Sequence, residues 1–396
     1  MWVAQPVLAQ TRPKIYAYYY LWWSNFHWHN KLGTSYPYSA SPLPLPATLG
    51  ADGCAAVSLY NGNQLFDVSN PVLHDQDVPG VIEQDVRNAH SAGLSGFLVN
   101  WAGTGDPNQS VDSISYSRRL DAVIAAVNKL NAEGKQFSII LSYKASPVVF
   151  SDAYIHGDMT YLWRQYGNSP AYDHSFSQKP IFLWEGSRKY SLNTIAYISN
   201  LYRSKYYLIG DETYNTWGID NRDDYLDGTT YYWSSQNPYN NVASFTHIQN
   251  FANEVRASSP NPDGSRKLWI APMAPGYNSQ LLNGGVCTPR IADCPIDANV
   301  HDTLTCIYRG NKPSNPDAWS LISWNEIAEG TYIMPMTRWG EKYLHIVRSI
   351  IRGSSDYVTW KNFYTTSTTE GPLSGDFNRD SRVSGLDYVL WSSYFQ

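Results

Sequence analysis

The stretch Trp319-Ser-Leu-Ile-Ser-Trp-Asn-Glu326 is a short hydrophobic run that ends in an amide and a carboxylate. Runs of this kind are typical of strands that are buried on both faces of a parallel sheet. Similar segments recur along the chain before it, and most of them also end in aromatic or polar side chains. They cover residues 14–23, 93–102, 136–144, 180–186, 206–214, 226–234 and 267–275.

Amphipathic stretches separate these eight segments and predict helices. They cover residues 81–92, 118–132, 159–166, 192–203, 245–257 and 341–351, and the short link between the fifth and sixth strands has room for about one turn. Eight alternating strand and helix units predict an α/β fold, a (β/α)8 TIM barrel. An open doubly wound sheet is the alternative, but no glycine-rich G-x-G-x-x-G follows the first strand.

The composition of the 396-residue chain excludes several classes of protein. A net charge of −5 argues against a nucleic-acid partner, and no apolar run reaches the length of a membrane span. The chain has 31 Tyr and 15 Trp against 12 Phe. Tyr and Trp combine a flat apolar face with a polar group, which suits grooves that bind sugars, although a tyrosine-rich surface would give the same count.

The N-terminus and the cysteines predict a secreted protein. Residues 1–13 resemble the end of a signal peptide, with Val7 and Ala9 at the positions that a signal peptidase recognises. Four cysteines fit two disulfides in an oxidising compartment, and we expect Cys287–Cys294 and Cys54–Cys306. Residues 14–353 form the predicted catalytic domain, with a long first loop over 25–79. Residues 354–374 are the predicted linker.

The candidate catalytic residues are Glu326 and Glu329, at the end of the eighth predicted strand. Two glutamates three residues apart lie on one face of a turn, with about 5–6 Å between Cβ atoms. Glycoside hydrolysis needs such a pair, in which one carboxyl is ionised and the other donates a proton. A structural role is the alternative, because Glu329 could cap a helix or pair with Arg338.

Further residues at the predicted strand ends are candidates for substrate binding. They are Tyr20, Trp22, His27, Trp28, His29, Trp101, Tyr143, Glu185, Glu212, Tyr232, Tyr277, Trp324 and Asn325. Glu185 and Glu212 are also an alternative acid/base pair. His27 and His29 form an H-x-H pattern, for which we prefer substrate contact to metal binding because no acidic third ligand is nearby.

The last residues, 375–396, predict a calcium site. Asp376, Asn378, Asp380 and Asp387 place side-chain oxygens at positions 1, 3, 5 and 12 of a loop, and Arg382 contributes its carbonyl at position 7. A helical pattern follows the loop. This segment resembles one repeat of a type I dockerin, although Ser381 replaces the usual glycine. The resemblance implies Ca²⁺ and a cohesin-bearing scaffold as partners.

Residues 14–353 resemble glycoside hydrolase family 99, the endo-α-mannosidases and endo-α-mannanases. The segment Trp324-Asn-Glu-Ile-Ala-Glu-Gly-Thr-Tyr-Ile-Met-Pro335 is similar to the family signature N-E-W-H-E-G-T-x-I-E-P. Three other stretches agree in order: Ile15-Tyr-Ala-Tyr-Tyr-Tyr-Leu-Trp-Trp23, Ala92-Gly-Leu-Ser-Gly-Phe-Leu-Val-Asn-Trp101 and Ala274-Pro-Gly-Tyr-Asn278.

The resemblance implies a secreted, retaining, endo-acting hydrolase of an α-mannan-like polysaccharide that needs no cofactor for catalysis. Glu326 would deprotonate the sugar 2-hydroxyl, which attacks its own anomeric carbon to form a 1,2-anhydro sugar. Glu329 would be the general acid and then the base. Ile327, Ala328 and Met334 depart from the family signature. An endo-α-glucanase, another barrel glycosidase and a non-catalytic carbohydrate-binding barrel therefore stay as alternatives.

Overall fold

The computed structural model describes residues 12–24, 27, 54, 74–104, 113–144, 151–232, 242–278, 287–336, 339–353, 356–368, 371–378 and 380–393. The barrel strands are β1 (Ile15–Tyr20), β2 (Gly96–Trp101), β3 (Ser138–Tyr143), β4 (Ile181–Trp184), β5 (Tyr207–Asp211), β6 (Gly228–Thr230), β7 (Leu268–Met273) and β10 (Ala318–Leu321). Two short strands, β8 (Tyr277–Asn278) and β9 (Cys287–Thr288), form an antiparallel pair outside the barrel.

The eight strands close into a barrel, as the sequence predicts. Every neighbouring pair is parallel, and β1 pairs with both β2 and β10, so the sheet has no free edge. An open doubly wound sheet would leave β1 and β10 unpaired with each other. Seven of the eight barrel strands lie within the segments predicted for them, and β10 starts one residue before its predicted segment. The (β/α)8 prediction is confirmed.

Helices cover the outside of the barrel. They are α1 (Val81–Ser91), α2 (Ser113–Ala132), α3 (Asp152–Tyr166), α4 (Leu192–Tyr202), α5 (Val242–Ala257), α6 (Thr303–Asn311) and α7 (Lys342–Arg352). A single 3₁₀ turn, Arg222–Asp224, connects β5 to β6, as expected.

Helix α6 was not predicted from the sequence. It is only nine residues long and contains Thr, Cys and Gly, which have weak helix propensity. Its N-cap, Asp302, accepts a hydrogen bond from the Thr305 backbone N–H at 2.7 Å, and its buried face carries Leu304, Cys306 and Ile307. Tertiary packing and the cap therefore stabilise a helix that propensity alone does not show.

Tyrosines from opposite sides of the barrel meet inside it. The Tyr20 hydroxyl lies 2.7 Å from the Tyr232 hydroxyl, and the rings of Tyr18 and Tyr232 are 5.1 Å apart. Tyr232 follows β6, which is separated from β1 by β7 and β10, so these contacts cross the barrel interior. Tyr19 lies between Tyr18 and Tyr20 in β1, and its side chain points out of the barrel. Its hydroxyl donates a hydrogen bond to Asp85 of α1 at 2.8 Å. Strand alternation explains the pattern.

The two disulfides pair Cys54 with Cys287 and Cys294 with Cys306, with Cα separations of 5.7 Å and 5.5 Å. The expected pairings were therefore wrong. Cys306 lies on the buried face of α6, where Cys294 packs against it. Since α6 was not expected, the position of Cys306 could not be inferred from spacing.

The segment expected to be a linker, 354–374, contains helix α8 (Asp356–Phe363) and a 3₁₀ turn, Gly371–Ser374. Helix α9 (Gly385–Ser393) follows the predicted calcium loop. The indole N–H of Trp360 in α8 donates to the Ser384 carbonyl at 2.7 Å, and the Phe377 ring lies 5.3 Å from His345 of α7. The C-terminal segment therefore packs on the barrel's last helix. None of the helices in the described ranges is long and apolar enough to cross a bilayer.

Disulfide mapping tests this arrangement. Proteolysis without reduction should release one peptide pair joined through Cys54 and Cys287 and another joined through Cys294 and Cys306. Replacing Cys294 and Cys306 together by Ser should lower the free energy of unfolding by about 3 kcal/mol, because the unfolded chain gains freedom. A peptide in which Cys287 is joined to Cys294 would contradict the structure.

Candidate active site

The side chain of Asn325 joins the chain after β10 to the end of β1. Its Oδ1 accepts a hydrogen bond from the Tyr20 backbone N–H at 2.8 Å, and its Nδ2 donates to the Tyr20 carbonyl at 2.9 Å. One residue earlier, the Trp324 backbone N–H donates to the Tyr18 carbonyl at 2.8 Å. The amide thus replaces a backbone partner and continues the β1–β10 contact beyond the last residue of β10. It places Glu326 beside Tyr20.

The turn that carries both glutamates is held from three sides. The Glu326 backbone N–H donates to Ser323 Oγ at 2.8 Å, and the Asn278 backbone N–H donates to the Glu329 carbonyl at 2.8 Å. The buried guanidinium of Arg290 donates to the carbonyls of Gly330 and Tyr332 at 2.8 and 2.7 Å. A turn anchored in this way holds its carboxylates in one geometry.

The two carboxylates differ in their hydrogen bonds. Glu326 is only 5% exposed, and its Oε1 accepts the Ala328 backbone N–H at 3.1 Å. Glu329 has a buried Oε2 with no hydrogen-bond partner among the described residues. An unpaired buried carboxylate oxygen costs stability, and in a functional site it is available to a ligand or a proton.

Both carboxyl groups hold protons more tightly than free glutamate does. Burial, followed by the nearby Glu329 carboxylate, raises the pKa of Glu326 to about 8. Burial also raises the pKa of Glu329, and Glu185 adds to the effect. The ammonium of Lys144 opposes both shifts. Because the two groups interact, the pair titrates in coupled steps rather than as two independent carboxyls.

A third carboxylate, Glu185, follows β4 and faces the pair. Its Oε2 accepts from Asn100 Nδ2 at 2.5 Å and from Ser142 Oγ at 3.1 Å, and its Oε1 lies 3.4 Å from Lys144 Nζ. These partners come from the ends of β2 and β3, so residues from adjacent strands converge on one point, as they do at the carboxyl-end face of a TIM barrel.

Aromatic rings form one wall of the site. Trp22 stacks on Tyr20 with centroids 4.4 Å apart and planes 23° from parallel, and His27 lies 6.1 Å from Trp22 in a similar orientation. Tyr20 also reaches Tyr232 across the barrel. Flat faces beside carboxylates suit a sugar, which presents C–H groups on its faces and hydroxyls at its edge.

Three of the predicted substrate-binding aromatics lie behind the strands instead, against the helices. The Trp101 indole stacks on Tyr161 of α3 at 6.0 Å, and the Tyr143 hydroxyl donates to Asp158 of the same helix at 2.7 Å. Trp324 lies 5.5 Å from Phe97 and is fully buried. Trp101 and Tyr143 point to the opposite face of their strands from the site, and Trp324 is packed in the core, so a ligand at the strand ends cannot reach these side chains.

Glu212 is also unavailable to substrate or as half of an acid/base pair. It is fully buried, and its Oε1 accepts from Ser187 and lies 3.4 Å from Arg222. Its neighbour Asp211 faces the barrel interior instead.

The remaining predicted residues differ in their surroundings. Both polar atoms of the Asn325 side chain bind the backbone of Tyr20. Tyr277 is half-buried in β8 at the rim, while Trp28 and His29 lie outside the described residues.

The sequence reasoning missed Lys144. It selected Tyr143, although strand alternation places Ser142 and Lys144 on one face and Tyr143 on the other. The same alternation places Asn100, rather than Trp101, on the face that contacts Glu185. Counting alternate residues along β2 and β3 is therefore the signal that could have identified Lys144.

The C-terminal loop is held by hydrogen bonds from its own backbone to two aspartates. Asp376 accepts the backbone N–H groups of Asp380 at 3.1 Å and Ser381 at 2.9 Å, and Asp387 accepts those of Asn378 and Ser384. Ser381 has φ of 69°, the left-handed conformation that the usual glycine adopts at this position. Within the described ranges, no three His, Cys, Asp or Glu side chains are grouped so as to hold a metal ion. Asp376, Asp380 and Asp387 lie in these ranges and do not form such a group.

The fold is similar to solved glycoside hydrolase structures. The family 99 endo-α-mannosidase of Bacteroides thetaiotaomicron, in complex with BIS-TRIS-propane, matches with a TM-score of 0.57 at 15% identity, over 86% of this chain and 96% of that one. A second structure of a B. thetaiotaomicron family 99 endo-α-mannosidase matches with a TM-score of 0.54 at 16% identity, over 86% and 96%. A glycoside hydrolase-like protein matches with a TM-score of 0.54 at 12% identity, over 89% and 97%. At these identities the likeness shows the fold alone. No protein-family model and no curated protein sequence matches the chain.

Replacing Asn325 by Ala tests the contact between β1 and the catalytic turn. We expect the free energy of unfolding to fall by about 1–2 kcal/mol, because the buried Tyr20 N–H loses its partner while the Tyr20 carbonyl keeps a hydrogen bond from Gln76 Nε2 at 2.8 Å. Denaturant unfolding measures the change. Asn253→Ala, on the exposed face of α5, is the matched control and should change stability by about 0.5 kcal/mol at most. Equal effects of the two substitutions would contradict the proposed contact.

The raised pKa of Glu326 makes a prediction about stability and pH. The folded protein binds this proton more tightly than the unfolded chain, so folding stability is lost as pH rises from about 4.5 through about 8. Glu326→Gln cannot ionise and should therefore reduce the fall in melting temperature between pH 5 and pH 8 by several degrees. Glu133→Gln removes an exposed carboxylate whose pKa is lowered to about 2 and should leave that fall unchanged. A fall in Glu326→Gln as large as in the wild type would contradict the buried, proton-binding environment.

Proposed function

We propose that this protein is a retaining, endo-acting glycoside hydrolase of an α-mannan-like polysaccharide. The observation that carries the proposal is the pair Glu326, which is buried, and Glu329, which is half-buried, on one anchored turn at the carboxyl end of the barrel beside an aromatic wall. Glycoside hydrolysis needs a carboxylate and a carboxylic acid together, and the raised pKa of both members of this pair favours the protonated form that a general acid needs.

In the proposed mechanism Glu326 takes the proton from the 2-hydroxyl of the sugar, and O2 attacks the anomeric carbon. The bond from that carbon to the leaving oxygen breaks, and Glu329 gives this oxygen its proton. Glu329 then takes a proton from water, whose oxygen opens the 1,2-anhydro ring, while Glu326 returns a proton to O2. Two inversions at the anomeric carbon give net retention.

The α-manno configuration fits this sequence of steps, because its axial 2-hydroxyl lies opposite the axial leaving group. Glu329 Oε2 has no protein partner among the described residues, which supports a role at the leaving oxygen. Both disulfides fit an oxidising compartment and support secretion.

Replacing Glu329 by Gln tests the proposal. The variant should lose at least about 1,000-fold in kcat on an unactivated α-mannan, because protonation of the leaving oxygen is lost, while its affinity for oligosaccharides stays within about threefold. Reducing-end assays and calorimetric titration measure the two quantities. Glu212→Gln, in a side chain the substrate cannot reach, is the matched control for loss of a buried carboxylate.

Full activity in Glu329→Gln would reject the assignment. Sugar binding by the wild type without hydrolysis of any α- or β-glycan would instead favour a carbohydrate-binding barrel, and hydrolysis of α-glucans alone would favour an endo-α-glucanase.

We also propose that the C-terminal loop binds Ca²⁺ through Asp376, Asn378, Asp380, Asp387 and the Arg382 carbonyl. The left-handed conformation of Ser381 supports this, since a loop that wraps an ion needs such a turn. Calorimetric titration of the full chain with Ca²⁺ should show one site, and Asp376→Ala should abolish it without changing hydrolysis. An unchanged titration in Asp376→Ala would reject the site. A cohesin-bearing scaffold stays a prediction.

A further inference from the structure

Lys144 lies between the third carboxylate of the site and the aromatic wall. Its Nζ is 3.4 Å from Glu185 Oε1, 5.5 Å from the centre of the Trp22 ring and 5.8 Å from that of Tyr20. Its side chain is 47% exposed, so its stem is buried while its charge stays partly hydrated. The ammonium is therefore in contact with groups from β1 and β4 as well as its own strand.

The hydrogen bonds of Glu185 leave one of its two carboxylate oxygens for Lys144. Asn100 and Ser142 both bind Oε2, which leaves Oε1 to Lys144. Both oxygens of Glu185 are thus occupied by protein groups, unlike those of Glu329, and Glu185 is not placed to exchange a proton with a substrate. Its carboxylate instead holds the Lys144 ammonium in the site.

Several titratable and charged groups face this ammonium from the strands around it. They are Tyr20 from β1, Glu185 after β4, and Glu326 and Glu329 after β10. Behind them, Asp211 of β5 with its partner Arg188 interacts with Glu185, and Tyr232 after β6 interacts with Tyr20 and Glu185. Arg188 is bound to Asp211 in an ion pair. Its charge is neutralised there, so Lys144 is the cation that acts on Glu326 and Glu329.

The electrostatic effects are reciprocal. Glu185 first, with Glu329 and Glu326 after it, raises the pKa of Lys144, and Lys144 is the ammonium that lowers the pKa of each member of the pair. Without it, burial would hold protons on both carboxyls over a wider pH range.

We propose that Lys144 is a positioning residue of this site: its ammonium lets one carboxylate of the Glu326–Glu329 pair ionise while the other keeps its proton. The inference rests on the hydrolase function proposed above. It adds a pH-setting residue outside the catalytic pair and assigns Glu185 the role of holding it.

The test compares the pH dependence of kcat and KM on α-mannan for the wild-type chain and four variants. Lys144→Met removes the charge and should move the acidic limb of the kcat profile to higher pH by about 1 pH unit. Lys144→Arg keeps the charge and should keep the wild-type limb. Lys144→Gln also removes the charge but keeps a polar side chain, and it should move the limb in the same direction. Lys312→Met, whose ammonium lies 5.9 Å from the Tyr308 ring at the other end of the barrel, is the control.

An acidic limb that stays in place in Lys144→Met would overturn the proposal. A purely structural role would lower kcat, and a substrate-contact role would raise KM, but neither would move the limb. If Lys144→Met does not fold, Lys144→Gln decides, and a limb that is unmoved or moved to lower pH in that variant overturns the proposal. If the wild type hydrolyses no glycan, the proposed function fails. NMR titration of the glutamate side-chain carboxyls in wild type and Lys144→Met then tests Lys144 by itself, with the Glu326 and Glu329 transitions expected at higher pH in the variant and unmoved transitions overturning the proposal.

Discussion

The two hydrogen bonds between the Asn325 amide and the backbone of Tyr20 connect the last barrel strand to the first at the height of the candidate site. Tyr20 carries the aromatic wall, and Asn325 directly precedes Glu326. A shift of either strand would therefore separate the surface that would stack on a sugar from the carboxylates that would act on it. Barrel closure and site assembly depend on the same contact.

The barrel also sets the electrostatics of the site. Parallel strands bring their carboxyl ends to one face, where Glu185, Glu326 and Glu329 collect around the ammonium of Lys144. Burial of so much negative charge opposes folding, and anchored neighbours such as Arg290 offset that cost by holding the turn. The same burial raises the pKa of Glu326 and Glu329. The feature that lowers the stability of the fold therefore also favours a carboxyl that can donate a proton.

The strands were predictable because both of their faces are buried, which makes them continuous hydrophobic runs. The face of the sheet on which each strand-end residue lies was not predictable, because a shift of one residue reverses it. This is why Trp101 and Tyr143 were selected although Asn100 and Lys144 face the site. Glu326 and Glu329 were recognisable because a turn, unlike a strand, brings residues three apart together. Helix α6 and the cysteine pairing depend on contacts between distant segments, which local patterns do not contain.

The measurement that tests the central claim most directly is proton NMR of the products in the first minutes of incubation with an α-mannan, before mutarotation. The account predicts oligosaccharides released with the α configuration at the new reducing end, as two displacements at the anomeric carbon require. Products released first as the β anomer would contradict the retaining mechanism at Glu326 and Glu329. Hydrolysis of a β-linked glycan alone would contradict the proposed substrate.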